Sequence, residues 1–242
     1  MDIDGARNLA GLTAARFGEP FGISDDFPKS IPKGDGMAEQ EGSRGVSRIE
    51  AFSDGVIAII VTIMVLDLKA PQSDRPAALL ALWPTFLAYA LSYAYVAIYW
   101  VNHHRLFSHA RAVSSGLLWA NIALLFTLSL VPFATAYLGE HRFGRDATLV
   151  YLVAMLLPSL TYGALQAVIR RNGVQGAAAQ RYHLATTRKG YAATVVYALG
   201  LPLSFVSPWL GIACAALVAV FWCLPASRLD HLFLRDEDPA QT

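Results

Sequence analysis

Read for its hydrophobic and polar positions, the chain is a polar stretch over residues 1–46 followed by six apolar runs, at 49–68, 79–101, 116–138, 147–169, 190–207 and 208–225. Each of the first four is long enough, at about 1.5 Å of helix per residue, to cross a hydrocarbon layer roughly 30 Å thick. The last two are shorter and meet at Val206-Ser207-Pro208. One helix through both would overshoot the layer, and Pro208 would break it, so two short spans in a hairpin are expected, with one span plus a re-entrant piece as the alternative. The predicted class is therefore all-α: a polytopic membrane protein with six transmembrane helices per subunit.

Composition supports that class. Hydrophobic residues make up 55% of the chain and charged residues 15%, against about 25% charged in ordinary soluble domains. The net charge of +1 gives no reason to expect a nucleic-acid partner. Cys214 and Cys223 share one apolar run and are spaced neither as a metal site nor as a redox pair, so they are expected to be small packing residues. Residues 1–46 contain no apolar run of signal-peptide length and are rich in Gly, Asp, Ser, Pro and Lys. They are expected to form a disordered cytoplasmic arm, leaving the first span as an uncleaved insertion signal.

The placement of basic residues sets the orientation. With the N-terminus inside, the cytoplasmic segments hold Arg7, Arg16, Lys29, Lys33, Arg44 and Arg48 in the arm, Arg105 and Arg111 in loop 2–3, Arg170, Arg171, Arg181, Arg188 and Lys189 in loop 4–5, and Arg228 and Arg235 in the tail. Of the 19 Lys and Arg, only Lys69, Arg75, Arg142 and Arg145 are left outside. This bias follows the positive-inside rule and favours an even number of spans, with both termini cytoplasmic.

Most of the chemistry sits on the first span. Ser47-Arg48-Ile49-Glu50 has the form of a capping box, which predicts a helix start at Ser47. Asp54 then lies about 10 Å along the axis, at a depth where an acid needs a partner or water. At 100° per residue, Gly55, Ile59, Thr62 and Leu66 fall within about 60° of one another, and Asp54 points about 100° away from Gly55. Such a stripe serves equally for helix packing through small residues or for lining a pore. If the stripe lines a pore, Asp54 should face neighbouring helices and not the ions.

Arg48-x-x-x-Phe52-Ser53-Asp54-Gly55, continued by Val56-x-Ala58-Ile59-x-x-Thr62, resembles the first helix of the transmembrane protein 175 family, potassium-permeable channels of lysosomes and bacteria. Trp100-Val101-Asn102-His103-His104-Arg105-Leu106-Phe107 is similar to the same family's signature at the end of its second helix. The resemblance implies a bacterial-type homotetramer in the inner membrane, because the Phe-Ser-Asp-Gly element occurs once, whereas animal members carry two repeats. It implies a first helix lining a central pore, with Ile59 and Leu66 as apolar constrictions and Thr62 as the hydroxyl layer. Potassium is implied as the permeant ion, with no cofactor. Arg48, Phe52, Ser53, Asp54, Gly55, Trp100, Asn102 and His103 carry over as structural motif residues. The expected organisation is an arm over 1–46, a six-helix channel domain over 47–226 and a cytoplasmic tail over 227–242. No Thr-Val-Gly-Tyr-Gly filter is present, so a carbonyl cage of that kind cannot supply selectivity.

The second span returns to the face where the first begins, which brings Trp100 to His104 to the depth of Asp54 and offers it a donor from Trp100 or a histidine. A zinc site from His103, His104 and His109 is the rival reading, disfavoured because adjacent helical histidines diverge by about 100°. Among functions, a secondary transporter is the alternative to a channel. Pro84, Pro132, Pro158 and Pro202 offer kinks, but no repeat is visible and the spans carry no acid beyond Glu50, Asp54 and Asp67. An enzyme is not expected, since no carboxylate pair or nucleophile with a base shares one level of the membrane.

Overall fold

The computed structural model of the chain describes residues 34–110, 112–172 and 177–223. By compactness the chain divides into Met1–Ala38 and Glu39–Thr242. The first unit contributes only the helical residues 34–38 to the described part, and the helical bundle belongs to the second. All regular structure among the described residues is helical: α1 (Gly34–Leu66), α2 (Pro76–Leu80), α3 (Trp83–Phe107), α4 (Ser115–Leu128), α5 (Val131–Glu140), α6 (Arg145–Arg171), α7 (Ala177–Val206) and α8 (Pro208–Cys223).

Four stretches are long and apolar enough to cross a membrane: Gly42–Leu66, Ser115–Glu140, Arg145–Arg171 and His183–Val206. The other two expected spans fall short of that measure for identifiable reasons. In α3, Tyr89, Tyr93, Tyr95 and Tyr99 dilute the apolar run, and α8 has only 16 residues. The chain is a multi-pass, all-helical membrane protein.

The predicted start of the first helix at Ser47 is corrected. α1 extends upstream to Gly34, so residues 34–46 are helical and not part of a disordered arm. Ser47 donates its hydroxyl to the Ser43 carbonyl, one turn back inside the helix, and Glu50 turns away to His104. Two physical causes extend the helix. Met37-Ala-Glu-Gln-Glu41 is a run of strong helix formers. Val46 is also buried, and Gly45 lies so close to Val113 that a Cβ there would stand 2.7 Å from its Cγ2. Residues 1–33 of the expected arm, together with Arg111 and the tail over 227–242, lie outside the described residues.

Prolines punctuate the remaining helices. Pro132 cannot return a hydrogen bond to Leu128, and the third run breaks at Ser129-Leu130 into α4 and α5. Pro84 stands in the first turn of α3, and Pro208 opens α8, where a missing amide costs nothing. α7 and α8 turn back on each other at Ser207, in agreement with the hairpin expected at the Val206-Ser207-Pro208 junction. Gly200 approaches Cys214, and Gly211 lies so close to Ser204 that a Cβ would sit 2.1 Å from its Oγ.

α6 packs against α4, α5, α7 and α8, while α3 packs against α5 and α8. Polar side chains join these helices: Ser92 of α3 meets Thr135 of α5 at 2.7 Å and Tyr151 of α6 at 3.1 Å, and Tyr95 donates to the Met155 carbonyl at 2.6 Å. Such bonds contribute roughly 1 kcal/mol each where no water competes. At the end of the bundle remote from His104, Trp83, Phe143 and Trp209 form a cluster of near-parallel rings with centroids 5.1, 6.1 and 6.2 Å apart, and the Phe143 φ of 59° turns the chain from α5 into α6.

Candidate functional site: the polar end of the first helix and its exposed stripe

The two long faces of α1 differ. Ile49, Ser53, Ile57, Ile60 and Met64, at helical spacing, are all buried. Phe52, Gly55, Ile59, Thr62 and Leu66 form a second stripe, and all five are exposed. The stripes are offset by two residues, about 200° around the helix. One side of α1 therefore packs into its own subunit, and the opposite side, with Ile59 58% and Leu66 76% exposed, does not.

A set of polar contacts midway along α1 holds this rotation. Trp100 of α3 donates its indole N–H to Asp54 Oδ1 at 2.9 Å. His104, one turn further along α3, bonds Glu50 through Nδ1. The indole and imidazole rings stack at 6.4 Å. Beneath them runs a buried relay. The Nδ2 of Asn121 in α4 donates to Ser53 Oγ at 2.9 Å, and Ser53 donates to the Ile49 carbonyl at 2.8 Å. With that amide nitrogen committed, Asn121 Oδ1 accepts from His103 Nε2–H at 2.8 Å. This direction puts the His103 proton on Nε2 and leaves Nδ1 as a lone pair, which has no partner. His103 also stacks on Phe107 at 4.3 Å. Ser53, His103 and Asn121 are each at most 1% exposed, so every link in the relay is sheltered from competing water.

Among the expected motif residues, the structure brings Ser53, Asp54, Trp100 and His103 together. It separates the others. Asn102 donates to the Ile98 carbonyl at 2.8 Å, and its own carbonyl accepts from Tyr162 of α6, so it points away from α1. Arg48 and Phe52 are exposed. At Gly55 a Cβ would meet nothing within 4 Å. Asp54 takes the tryptophan, whereas the histidine expected beside it turns to Asn121. His103, His104 and His109 have three different partners, the last bonding the Arg105 carbonyl at 2.8 Å.

Sequence reasoning missed Asn121. The signal was present: a lone amide in the apolar window Leu117-Leu-Trp-Ala-Asn-Ile-Ala-Leu124, where an unsatisfied polar group would be costly.

Fold and site thus define a membrane protein, all-helical among its described residues, whose first helix is locked to α3 and α4 by its polar segment and left exposed along an apolar stripe bearing one hydroxyl. The family model for the endosomal/lysosomal potassium channel TMEM175 matches residues 48–132, the segment holding every contact of that lock. A potassium channel of Chryseobacterium sp. (strain P1-3) is 41% identical over 184 residues, covering 76% of this chain and 95% of that protein. A potassium channel of Streptomyces collinus is 37% identical over 191 residues, covering 72% and 90%. The crystal structure of a lysosomal potassium-selective channel TMEM175 homolog from Chamaesiphon minutus superposes with a TM-score of 0.68 at 32% identity, covering 76% of this chain and 98% of that one. The chain belongs to the TMEM175 family.

Proposed function

We propose that this protein is a potassium-permeable cation channel of a bacterial inner membrane. Four copies of a six-span subunit, with both termini cytoplasmic, surround a pore lined by four α1 helices. The observation that carries this reading is the rotation of α1: its polar segment at Glu50–Asp54 is bonded to α3 and α4, and the stripe Gly55, Ile59, Thr62, Leu66 faces away from the subunit body. One stripe on one helix cannot enclose a water-filled path, so several copies must meet on an axis, and closed cyclic symmetry is the ordinary solution.

Along the stripe, Thr62 lies about 4.5 Å beyond Ile59, and Leu66 about 6 Å beyond Thr62. Rings of Ile59 and Leu66 would each strip water from a passing ion without replacing it, which is how an apolar constriction gates. Thr62 donates its hydroxyl to the Ile59 carbonyl at 2.9 Å. Its proton is occupied inside the helix, so the oxygen lone pairs are what it offers a cation. Partial replacement of lost water favours potassium, which holds its hydration less tightly than sodium does.

The test is ion flux through the purified protein in liposomes under potassium, sodium or proton gradients. Passive, non-saturating flux preferring potassium supports the channel. Flux that requires a second ion's gradient would identify a secondary transporter and overturn this reading.

A further inference from the structure

A cavity of about 250 Å³ lies between α6 and α7. Its wall runs along α6 from Ser159 to Arg170 and along α7 from Thr187 to Thr194. The α6 wall rises about 16 Å, close to the depth of one leaflet of a bilayer whose hydrocarbon core is roughly 30 Å thick.

The chemistry is graded along that length. At one end stand Arg170, Thr187 and Gln166. Gln166 is 3% exposed, yet its Nε2 has no hydrogen-bond partner, a state that buried amides rarely keep. Among the described residues no carboxylate pairs with Arg170. Gln166 Nε2 is a donor without an acceptor, and the exposed Arg170 guanidinium is a donor open to one. Arg171 and Arg188 neighbour the lining residues Arg170 and Thr187 in sequence, so this end of the two helices is basic. At the other end, Ser159 and Thr194 bond each other at 2.7 Å, and Thr194 also donates to the Gly190 carbonyl, so they ask for nothing further. Between the ends the walls are Gly163, Ala164 and Ala167, and a Cβ on Gly163 would meet no atom within 4 Å. Leu160 and Tyr191 on the rim are exposed.

We propose that this groove binds an anionic phospholipid, one per subunit. Arg170 and Gln166 Nε2 donate to its phosphate, whose oxygens only accept, and one acyl chain lies over Gly163 and Ala167 toward Ser159. Basic pockets between membrane helices near the interface suit such headgroups. A free phosphate would use only the polar end and leave the leaflet-length continuation empty, which favours the lipid. The proposal needs a membrane around α6 and α7 but is independent of where the pore runs.

The experiment is native mass spectrometry of the full-length protein released from nanodiscs containing phosphatidylcholine and phosphatidylglycerol. The wild type should retain one phosphatidylglycerol per subunit in preference to phosphatidylcholine. Arg170→Gln should reduce that preference about fivefold, the weight of one basic residue beside an anionic lipid. Gly163→Leu, which fills open space and spares the fold, should lower retention of the lipid without touching the charge. Equal retention of both lipids by the wild type, or undiminished retention by both variants, overturns the proposal. So does protection from thermal unfolding by millimolar inorganic phosphate alone with Gly163→Leu unaffected, which would mark a free-anion site. Ion flux is not read in this experiment, so a failed channel and a failed lipid site remain distinguishable.

Discussion

The indole nitrogen of Trp100 lies 2.9 Å from Oδ1 of Asp54, joining α3 to α1 where the buried relay begins. Asp54 is half-buried and Trp100 partly exposed, so this bond fixes orientation more than it adds stability. Asp54→Ala should lower the thermal midpoint of the purified protein, by roughly 1–2 kcal/mol of unfolding free energy for a charged hydrogen bond with some water access. It should also lower tetramer yield more than it changes ion preference. Trp100→Phe should do much the same, and the double variant should cost less than both singles added together, since either change removes the same bond. A variant that assembles normally and shifts only selectivity would place Asp54 in the pore.

Asn121 should matter more than Asp54. It is fully buried and serves two partners at once, His103 and Ser53. Asn121→Leu keeps the apolar volume but strands a donor on His103 and an acceptor on Ser53, and each buried unsatisfied group costs about 1–3 kcal/mol. Thermal melts in detergent should therefore show a larger loss for Asn121→Leu than for Asp54→Ala. The reverse ranking would mean that the relay is not what holds α1.

Glycines at two places should respond oppositely. At Gly211 a Cβ would stand 2.1 Å from Ser204 Oγ and 2.9 Å from Leu152 Cδ1, both fully buried. Gly211→Val should pry α8 from α7 and reduce folded yield, at a cost on the order of 1–3 kcal/mol for overpacking. At Gly55 nothing lies within 4 Å. Gly55→Ala should leave a subunit as stable or up to about 1 kcal/mol more stable through helix propensity. Size-exclusion profiles and melting curves of the two variants check this contrast.

How far the sequence carries depends on whether a feature is local. The hairpin at Ser207-Pro208 was legible because proline's missing amide acts within one turn. The two faces of α1 were legible because a helical wheel needs only spacing, and the stripe through Gly55, Ile59, Thr62 and Leu66 is the exposed one. Topology narrowed the partner of Asp54 to Trp100 or a histidine, since antiparallel neighbours bring Trp100 to His104 to the same depth, and the structure takes Trp100. The start of α1 was not legible because Ser47 and Glu50 fit a cap locally, while burial of Val46 and the packing of Gly45 on Val113 are tertiary. Asn121 was missed for a related reason: its two partners come from α1 and α3, and no spacing within α4 reports them. Asn102 shows the converse, a motif residue whose side chain bonds its own helix.

Topology offers an independent test. The basic residues at the end of α6, along the first turns of α7 and in the C-terminal segment predict the same side of the membrane as the N-terminus. A reporter active only in the cytoplasm should work when fused after Thr242. Activity only of a periplasmic reporter there would leave an odd number of spans and remove the six-span subunit.

The pore itself is tested by changing Ile59 and Thr62 separately. Ile59 is exposed on α1, outside the buried face that packs into its own subunit, so replacing it should not unfold the monomer. Ile59→Asn would line the proposed Ile59 ring with amides able to hold water, removing the dewetting barrier. Conductance should rise and discrimination between potassium and sodium should fall. Thr62→Ala removes the oxygen that replaces lost hydration water but leaves the α1 backbone intact, because the Thr62 hydroxyl bonds the Ile59 carbonyl within its own helix. It should keep the tetramer and reduce potassium preference, with conductance changing less than in Ile59→Asn. If these residues merely packed four helices together, both substitutions would instead act on assembly, lowering tetramer yield with flux per tetramer unchanged. Flux assays on size-selected tetramers separate the two cases. Unchanged flux and selectivity in an intact Ile59→Asn tetramer would move the pore off this stripe.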